Sequence, residues 1–419
     1  MANALITSSM ITNEMLRVLH NKSALLKRVN TEYSDMFAKG GAKVGSTINI
    51  RKPPMYTIRS GPVANIQDVT EQTIPLTIQP EFGIDFAFSD FDLSLTIDRF
   101  SERYIQPAAK RLATELDMRI VQAMFKATSN SVGTPGTPPA STQAAQKLVL
   151  DAGVVLTNNA ADMQDRMMVT TPVAEANLLQ YLNLGYNNQQ KIGEQYNTGT
   201  LGTNTLGFDW VSSPNMPIQT VGALGGTPLV NGASQGTTNS GATDNPTAST
   251  TSLVTDGWTA SAATRLKAGD VFTIAGVYGV NPETKQSTGV LQQFTVTADA
   301  ASDGSGNLTA IISPAIIAGG AFQNVTARPA DNAAITVLGT AATAYPVSLG
   351  FVKDAFTLAT VDLELPNGMD MAARAEADGV SIRFVRGFDI TNNRRISRFD
   401  IMAGYAAVRP EWAVRVYAG

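Results

Sequence analysis

The chain has 419 residues, 43% hydrophobic and 16% charged, which is typical of a globular protein of two or three domains with large cores. A net charge of −4 excludes a chain built as a whole to coat nucleic acid, and the lack of cysteine excludes disulfides, thiolate zinc sites and cysteine nucleophiles. No apolar run approaches the ~20 residues of a membrane helix, and the N-terminus lacks the basic start of a signal peptide, so we expect folding in a cytoplasm.

The first predicted element is an amphipathic helix near the N-terminus. Apolar residues recur at helical spacing over residues 10–29, and Thr12 and Asn13 are candidate N-caps. We interpret this helix as a short arm that docks on another surface.

Strands are predicted next, between residues 43 and 96. Apolar residues alternate in the runs 44–50, 74–78 and 84–88, with prolines and glycines between the first two runs. The pattern indicates a long two-stranded excursion with a Pro/Gly-rich tip. Because an isolated pair of strands is marginally stable in water, we expect it to lie against a neighbour, which could be another subunit.

The strongest helix pattern covers residues 98–127. One face is apolar, and Glu115 forms four-residue charge pairs with Arg111 and Arg119 on the other face. Pro107 fits this helix only in its first turn or at a bend. A second helix is predicted over residues 143–157, a short buried strand over 166–170, and a third helix from about Val173.

A different, β-rich pattern occupies residues 225–344. Its first part, 225–252, is rich in Gly, Ser, Thr and Asn and predicts a long loop or a poorly ordered segment. Four strand-like runs follow, near residues 271–274, 289–300, 307–316 and 333–339, at the spacing of a small antiparallel barrel. A carbohydrate-binding or decoration role is an alternative for this module, with Trp258 and Tyr278 as candidate platforms.

Residues suited to catalysis are scarce. The only histidine, His20, is interpreted as an exposed or interfacial helix residue. The carboxylates Asp362 and Glu364 alternate with apolar residues, as on the solvent face of a strand. No GxxxxGK[ST], HExxH or GxSxG motif occurs. We therefore assign no catalytic, cofactor-binding or metal-binding residues and expect no enzyme.

Four stretches resemble one protein family in the expected order. The first, RYIQPAAKRLATELDMRI from Arg103, resembles the long spine helix of tailed-phage major capsid (coat) proteins with the Hong Kong 97-type fold. LGFDWVSSPNMP from Leu206 resembles the stretch that precedes an inserted domain in the coat proteins of short-tailed phages, and FVKDAFTLATVDLELP from Phe351 resembles the strand that re-enters the host domain. AGYAAVRPEWAVRV from Ala403 resembles the closing strand. The matching positions are Arg103, Gln106, Ala108, Ala109, Lys110, Leu112 and Ala113 in the helix, and Arg409, Pro410 and Glu411 near the end.

The resemblance implies an α+β fold of the Hong Kong 97 type with an inserted small antiparallel β-barrel. It divides the chain into an N-terminal arm (1–42), an extended β-hairpin loop (43–96), a peripheral domain with the spine helix (97–140), a first axial part (141–220), the inserted domain (221–345), a second axial part (346–376) and C-terminal peripheral strands (377–419). Three strand-like runs within residues 380–419 would supply the peripheral sheet. The inserted domain would aid folding and shell stability.

The implied function is that of a major capsid protein that self-assembles, through hexamers and pentamers, into an icosahedral shell around phage double-stranded DNA. It would be assembled in the host cytoplasm and reside in the virion. Implied partners are scaffolding and portal proteins, a decoration protein as a further candidate, and packaged DNA by weak non-specific contact, with no membrane. The alternative is a filament or surface-layer protein, but flagellin-like filaments need helices at both termini, whereas residues 380–419 are patterned as strands.

Charged and apolar residues give three expectations about assembly. The arginines near the C-terminus either face solvent in alternation or form intersubunit salt bridges with acidic residues such as Glu71, Asp90 and Glu102. These arginines are Arg383, Arg386, Arg394, Arg395, Arg398 and Arg409. Lys52, near the loop tip, is a candidate for a covalent crosslink that we do not expect to form. Replacing Ile74 or Ile78 with Asp should leave a foldable monomer that assembles poorly.

Overall fold

The computed structural model describes residues 8–33, 45–64, 66, 71–88, 101–182, 189–236, 247–389 and 394–419. The chain forms two compact units. Unit 1 comprises Met1–Ile50, Pro75–Val121 and Phe356–Val408. Unit 2 comprises Arg51–Ile74, Gln122–Ala355 and Arg409–Gly419.

The helices and strands are numbered in chain order. The α-helices are α1 (Ser8–Lys22), α2 (Gln106–Ala127), α3 (Thr142–Asn158), α4 (Pro172–Leu182) and α5 (Gln189–Thr198). The strands before residue 250 are β1 (Thr47–Arg51), β2 (Thr73–Thr77), β3 (Phe82–Phe88), β4 (Ser131–Val132), β5 (Arg166–Thr170), β6 (Asp209–Ser212), β7 (Ile218–Thr220) and β8 (Gly226–Val230). Then come β9 (Thr251–Trp258), β10 (Thr264–Leu266), β11 (Val271–Val280), β12 (Ser287–Val296), β13 (Ala300–Ala301), β14 (Leu308–Ser313), β15 (Ile335–Val337) and β16 (Ala344–Pro346). The last are β17 (Ser348–Val352), β18 (Phe356–Thr360), β19 (Met371–Ala377), β20 (Val380–Asp389), β21 (Arg394–Ile401), β22 (Ala403–Ala407) and β23 (Ala413–Val416).

Unit 1 is built on a four-stranded antiparallel sheet with the order β19-β20-β21-β3. Phe384 and Phe399 face each other across β20 and β21, with ring centroids 4.9 Å apart, and both are fully buried. Helix α1 packs against β19 and β20. A second, two-stranded sheet of β18 and β22 carries another apolar cluster. Its buried members are Ile50, Leu76, Ile78, Ala359, Val361, Leu363, Met402 and Val408.

The N-terminal helix differs from the predicted range of residues 10–29. It begins at Ser8, so Thr12 and Asn13 lie inside it rather than at its cap, and the Thr12 hydroxyl donates to the Ser8 carbonyl at 2.7 Å. The helix ends at Lys22 because the Ser23 hydroxyl then accepts hydrogen bonds from the next backbone N–H groups. The apolar residues beyond it are buried in turns; they are Leu25, Leu26 and Val29.

The two-stranded excursion over residues 43–96 is only partly confirmed. Strands β1 and β2 pair with each other, but the third predicted run, β3, pairs with β21 in the four-stranded sheet. Joining that sheet lets β3 satisfy its backbone groups in a larger sheet, which a lone hairpin cannot offer. Residues 89–96 lie outside the described residues.

The long helix agrees with its pattern. A π-helical turn, Ser101–Ile105, leads directly into α2, and Pro107 falls in the first turn of α2. Glu115 pairs with Arg119 at 2.8 Å and with Arg111 at 3.9 Å, as the four-residue spacing predicts. Residues 98–100 lie outside the described residues.

Unit 2 contains a five-stranded sheet with the order β4-β23-β17-β5-β6. The predicted strand over residues 166–170 and the two predicted helices around it are confirmed as β5, α3 and α4. Helix α3 begins at an N-cap, Ser141, whose side chain accepts from the Ala144 N–H. Its C-terminal end is closed by the buried Arg166, which donates to the carbonyls of Gly153 and Ala161.

A six-stranded antiparallel sheet occupies the central region, with the order β15-β11-β12-β14-β9-β8. The four predicted strands are confirmed as β11, β12, β14 and β15. The prediction of a long loop over residues 225–252 is wrong in part, because β8 and the start of β9 lie in it. Leu229, on the edge strand β8, forms an isolated bridge with Ala334, which directly precedes the other edge strand, β15. The two edges of the sheet therefore meet. Residues 237–246 lie outside the described residues.

The C-terminal strand runs are confirmed as strands but not as one sheet. Strands β20 and β21 pair with each other, β22 pairs with β18, and β23 joins the five-stranded sheet of unit 2. The predicted strand around Asp362 and Glu364 is wrong, because β18 ends at Thr360. Val361 and Leu363 are nonetheless buried, which explains the alternating pattern.

Candidate assembly surface

The stretch that follows β1 exposes large apolar side chains to solvent. Ile58 is 99% exposed, Ile66 is 93% exposed and Val63 is 80% exposed. Tyr56 is also exposed, and Pro53, Pro54 and Pro62 stiffen the same stretch. We call residues 51–66 the apolar loop.

Exposure on this scale is costly for a single subunit. Burying a side chain of this size is worth ~1.5–3 kcal/mol, so three such residues represent substantial unused binding energy. Contiguous exposed apolar groups on a soluble protein mark sites of protein association. The apolar loop is therefore the strongest candidate for a contact with another protein chain.

Neither residue chosen from the sequence for this contact is part of the apolar loop: Ile74 lies half-buried in β2, and the other choice is Ile78. It is 1% exposed and belongs to the apolar cluster of unit 1, where it bridges to Gly404. The expectation that Ile78→Asp leaves a foldable monomer is therefore contradicted. Period-two patterning identified the strands correctly but could not tell which apolar residues lack a partner within the chain.

The base of the loop is held by charged contacts within unit 2. Lys52 Nζ lies 3.3 Å from Glu411 Oε1, and Arg51 Nη1 lies 3.1 Å from Glu71 Oε2. Lys52 directly follows β1 and so lies at the loop base, which corrects its expected place near the loop tip. Its side chain is only 16% exposed, so this lysine is engaged inside its own chain.

The arm is fixed to α2 by a buried carboxylate. Asp117 is 1% exposed and accepts hydrogen bonds from the Ser23 hydroxyl at 2.5 Å and from the Ala24 N–H at 2.9 Å. Burial raises the pKa of Asp117, while the bonds from Ser23 and Ala24 lower it. Farther along, the Asn30 backbone pairs with β18 through Phe356 and Leu358.

His20 is also part of this docked arm, and of the two expected positions, exposed or interfacial, the structure shows the interfacial one. It is 7% exposed, and its Nε2 lies 3.1 Å from the Ala377 carbonyl at the end of β19. Its Nδ1 lies 3.9 Å from Asp378 Oδ2. Its position explains the histidine as a packing residue of the α1–β19 contact.

Three of the arginines singled out for intersubunit pairs have partners within unit 1. Arg383 lies 2.6 Å from Asp400, Arg398 lies 2.7 Å from the same carboxylate, and Arg386 lies 2.7 Å from Asp370. Glu71 pairs with Arg51, and the Arg409 guanidinium lies 4.0 Å from the Trp412 ring centre. Asp90 and the side chains of Glu102, Arg394 and Arg395 lie outside the described residues.

A buried ionic centre in unit 2 was not predicted. Arg415 on β23 is fully buried; it donates to the Gly269 carbonyl at 2.5 Å and to the Thr295 hydroxyl at 3.1 Å. Its guanidinium lies 5.2 Å from the centre of the Phe125 ring. Burial lowers the pKa of Arg415, whereas Tyr417 and Asp270 raise it.

Asp270 is the carboxylate of this centre and is 2% exposed. It accepts from Gln219 Nε2 at 2.7 Å and from the backbone N–H groups of Lys267 and Gly222 at 2.8 and 2.9 Å. Burial raises its pKa, and these bonds together with Arg415 lower it. The centre thus ties β23 to the strands of the six-stranded sheet. A charged residue inside the apolar run of β23 was the only sequence signal for it.

The described residues give little support for a metal site, a carbohydrate site or a membrane-crossing helix. Within the described ranges, no three His, Asp or Glu side chains are grouped so as to hold a metal ion. Trp258, a candidate carbohydrate platform, is 4% exposed and donates its indole N–H to Thr255 Oγ1, whereas Tyr278 is 40% exposed. Among the helices that the structure describes, none has the length and apolar character of a membrane-crossing segment.

Comparison with known proteins defines the class of this chain. A family model described as "P22 coat protein - gene protein 5" matches residues 2–417. The protein is therefore a bacteriophage coat protein, a major capsid protein that forms the shell of the virion. It belongs to the P22 coat protein family, which confirms the resemblance seen in the sequence at the level of the family.

Solved structures similar to this chain include capsid proteins of several phages. The structure titled "Mycobacterium phage Che8" is 13% identical with a TM-score of 0.45, covering 99% of this chain and 93% of that chain. The capsid of Staphylococcus phage Andhra is 9% identical with a TM-score of 0.36, covering 93% and 85%. The "CUS-3 coat protein I-domain" is 32% identical with a TM-score of 0.18, covering 29% of this chain and 98% of that chain. No curated protein matches the chain.

Proposed function

We propose that copies of this chain build an icosahedral shell of hexamers and pentamers around phage double-stranded DNA, as Hong Kong 97-type subunits. The family membership supports this proposal. In this proposal unit 1, with the arm, α2 and the four-stranded sheet, corresponds to the peripheral domain. The five-stranded sheet with α3 and α4 corresponds to the axial domain, and the protein acts as a structural subunit rather than an enzyme.

The apolar loop is the observation that carries the assembly mechanism. Its isoleucines have no apolar cover within the described part of the chain, yet the loop base is fixed by Lys52 and Glu411. A subunit that holds apolar groups away from its own core can bury them on an adjacent copy. Repeating this contact around a symmetric ring buries the loop of every subunit.

The six-stranded sheet is proposed to be the inserted β-barrel domain, over residues 221–345. The bridge between Leu229 and Ala334 supports a closed sheet, because closure pairs the two strands that would otherwise be open edges. The module is proposed to stabilise the subunit rather than to bind carbohydrate, since Trp258 lies in its interior.

The remaining partners are proposed from the family resemblance. Scaffolding and portal proteins would direct assembly, and a decoration protein is a further candidate. Contact with packaged DNA would be weak, because a net charge of −4 provides no basic surplus for phosphates.

Electron microscopy of loop variants tests the assembly mechanism. Ile58→Asp should leave a folded subunit with wild-type circular dichroism but reduce the yield of shells at least about tenfold, because ~1.5–3 kcal/mol is lost at each repeated contact. Ser60→Asp is the matched control, since it adds the same charge to an exposed position of the same loop without removing an apolar group. Normal shells from Ile58→Asp, or equal loss from both variants, would show that the apolar loop is not the contact.

A further inference from the structure

The sequence contains two Asn-Gly pairs, Asn231-Gly232 and Asn367-Gly368, and the structure treats them differently. In such a pair the backbone nitrogen of the glycine can attack the side-chain carbonyl carbon of the asparagine. The attack forms a C–N bond, expels the side-chain nitrogen as ammonia and leaves a cyclic imide, which water opens to aspartate or isoaspartate. The reaction needs a glycine N–H that is not held by another group and a backbone free to bend.

The Asn231-Gly232 pair is held by hydrogen bonds at both of its residues. The Gly232 N–H donates to Asp331 Oδ1 at 2.8 Å, so the attacking nitrogen is already engaged. The backbone on the asparagine side is held as well: the Asn231 N–H donates to the Val254 carbonyl at 3.0 Å, and the Asn231 carbonyl accepts from Gln235 at 2.7 Å. Ring closure would have to break these contacts first.

The Asn367-Gly368 pair is open. Both residues are exposed in a turn between β18 and β19, and no hydrogen bond from the Gly368 N–H occurs to the residues that the structure describes. Gly368 has a φ of +82°, and a Cβ placed on it would have no heavy atom within 4 Å. The glycine side of this pair therefore has open space around it.

We propose that Asn367 is a site of spontaneous deamidation and isoaspartate formation in this coat protein, whereas Asn231 is protected by Asp331. The change converts a neutral amide to a carboxylate three residues before Asp370, which holds the buried Arg386. Isoaspartate formation also lengthens the backbone by one methylene group there. Because coat subunits persist in the virion after synthesis, even a slow reaction would accumulate.

The test follows both asparagines by peptide mass spectrometry in the purified, unassembled full-length chain. The chain is aged in mildly alkaline buffer, with and without urea, and the fraction of each peptide that has exchanged an amide for a carboxyl group is measured over time. The deamidation rate of Asn367 in the folded chain should lie within about tenfold of its rate in urea. The rate of Asn231 should fall by more than about tenfold in the folded chain. The Asn367→Gln variant should lose the signal from that peptide.

A second variant isolates the role of Asp331. Asp331→Ala removes the acceptor of the Gly232 N–H and should raise the folded-state rate at Asn231 while leaving that at Asn367 unchanged. Protection of Asn367 by more than about tenfold would overturn the proposed site. Unprotected Asn231 in the unmodified chain, or no acceleration in Asp331→Ala, would overturn the role given to Asp331.

Discussion

Arg415→Met should destabilise unit 2, because the substitution removes the hydrogen bonds of a buried guanidinium and the positive charge that favours the ionised form of Asp270. The guanidinium is fully buried, and its removal deprives the Gly269 carbonyl of a donor. The Thr295 hydroxyl keeps a contact with the Lys126 carbonyl at 3.3 Å, so it loses less. Leaving a buried acceptor without its donor costs about 1–3 kcal/mol, and the methionine side chain offsets only the packing part.

The stability that Arg415→Met loses should be larger at neutral pH than in acid. Burial raises the pKa of Asp270 above its unfolded value, so its contribution to stability is full below the unfolded pKa and is lost as pH rises through the folded pKa. Arg415 pulls the folded pKa back down. Without Arg415 the cost of the charged carboxylate grows, so Arg415→Met should lose more stability at neutral pH than in acid.

Urea unfolding of the unassembled subunit, followed by tryptophan fluorescence, measures this loss. All three tryptophans, Trp210, Trp258 and Trp412, belong to unit 2 and therefore report on the unit that contains Arg415. Arg111→Met on the exposed face of α2 is the control and should change stability by less than about 0.5 kcal/mol.

A double mutant separates the charge effect from packing. Adding Asp270→Asn to Arg415→Met should recover part of the loss, because the position then no longer carries the buried charge that Arg415 favours. The Gln219 amide can rotate to accept from the new Asn side chain, so the remaining bonds of this position persist. A loss below about 1 kcal/mol for Arg415→Met, or an equal loss at neutral and acidic pH, would refute the reasoning.

Two further predictions concern unit 1. Asp117→Ala should release the arm, because the donors of Ser23 and Ala24 are left unsatisfied at a cost of about 1–3 kcal/mol. Trypsin should then cleave faster after the exposed Lys22 and Lys27. Unchanged cleavage would contradict the role of Asp117 in holding the arm. Gly83→Ala should lower the midpoint of thermal unfolding far more than Gly387→Ala, as measured by circular dichroism. A Cβ on Gly83 would lie 2.0 Å from the Phe399 carbonyl oxygen, whereas one on Gly387 meets only Met369 Sδ at 3.5 Å.

Local periodicity predicted much of the fold, because its causes lie within a few residues. The amphipathic spacing of α2 and the alternation of β11 and β12 need no knowledge of distant partners. Strand β8 escaped prediction because its Gly-Thr-Pro start is typical of loops, and its pairing with β9 is what makes it a strand.

The sequence predicted which segment carries the apolar loop but not which of its apolar residues are exposed. Ile58 and Ile78 look alike in the sequence, and only the fold shows that the first lacks an apolar neighbour while the second fills a cluster. The Arg415 centre lay beyond prediction for a similar reason, since Arg415 and Gly269 are 146 positions apart along the chain.

Three buried arginines of unit 2 show why such centres resist prediction. Arg166, Arg265 and Arg415 each donate to backbone carbonyl oxygens, which every residue type provides, so no complementary acidic residue in the sequence marks the partner. Arg265 donates to the carbonyls of Leu224 and Thr259, on the connections before β8 and after β9. A planar guanidinium with five donors can fix irregular backbone that neither a helix nor a sheet satisfies. The connections of the six-stranded sheet at Leu224, Thr259 and Gly269 are thus held by Arg265 and Arg415, despite a composition that by itself predicts loops.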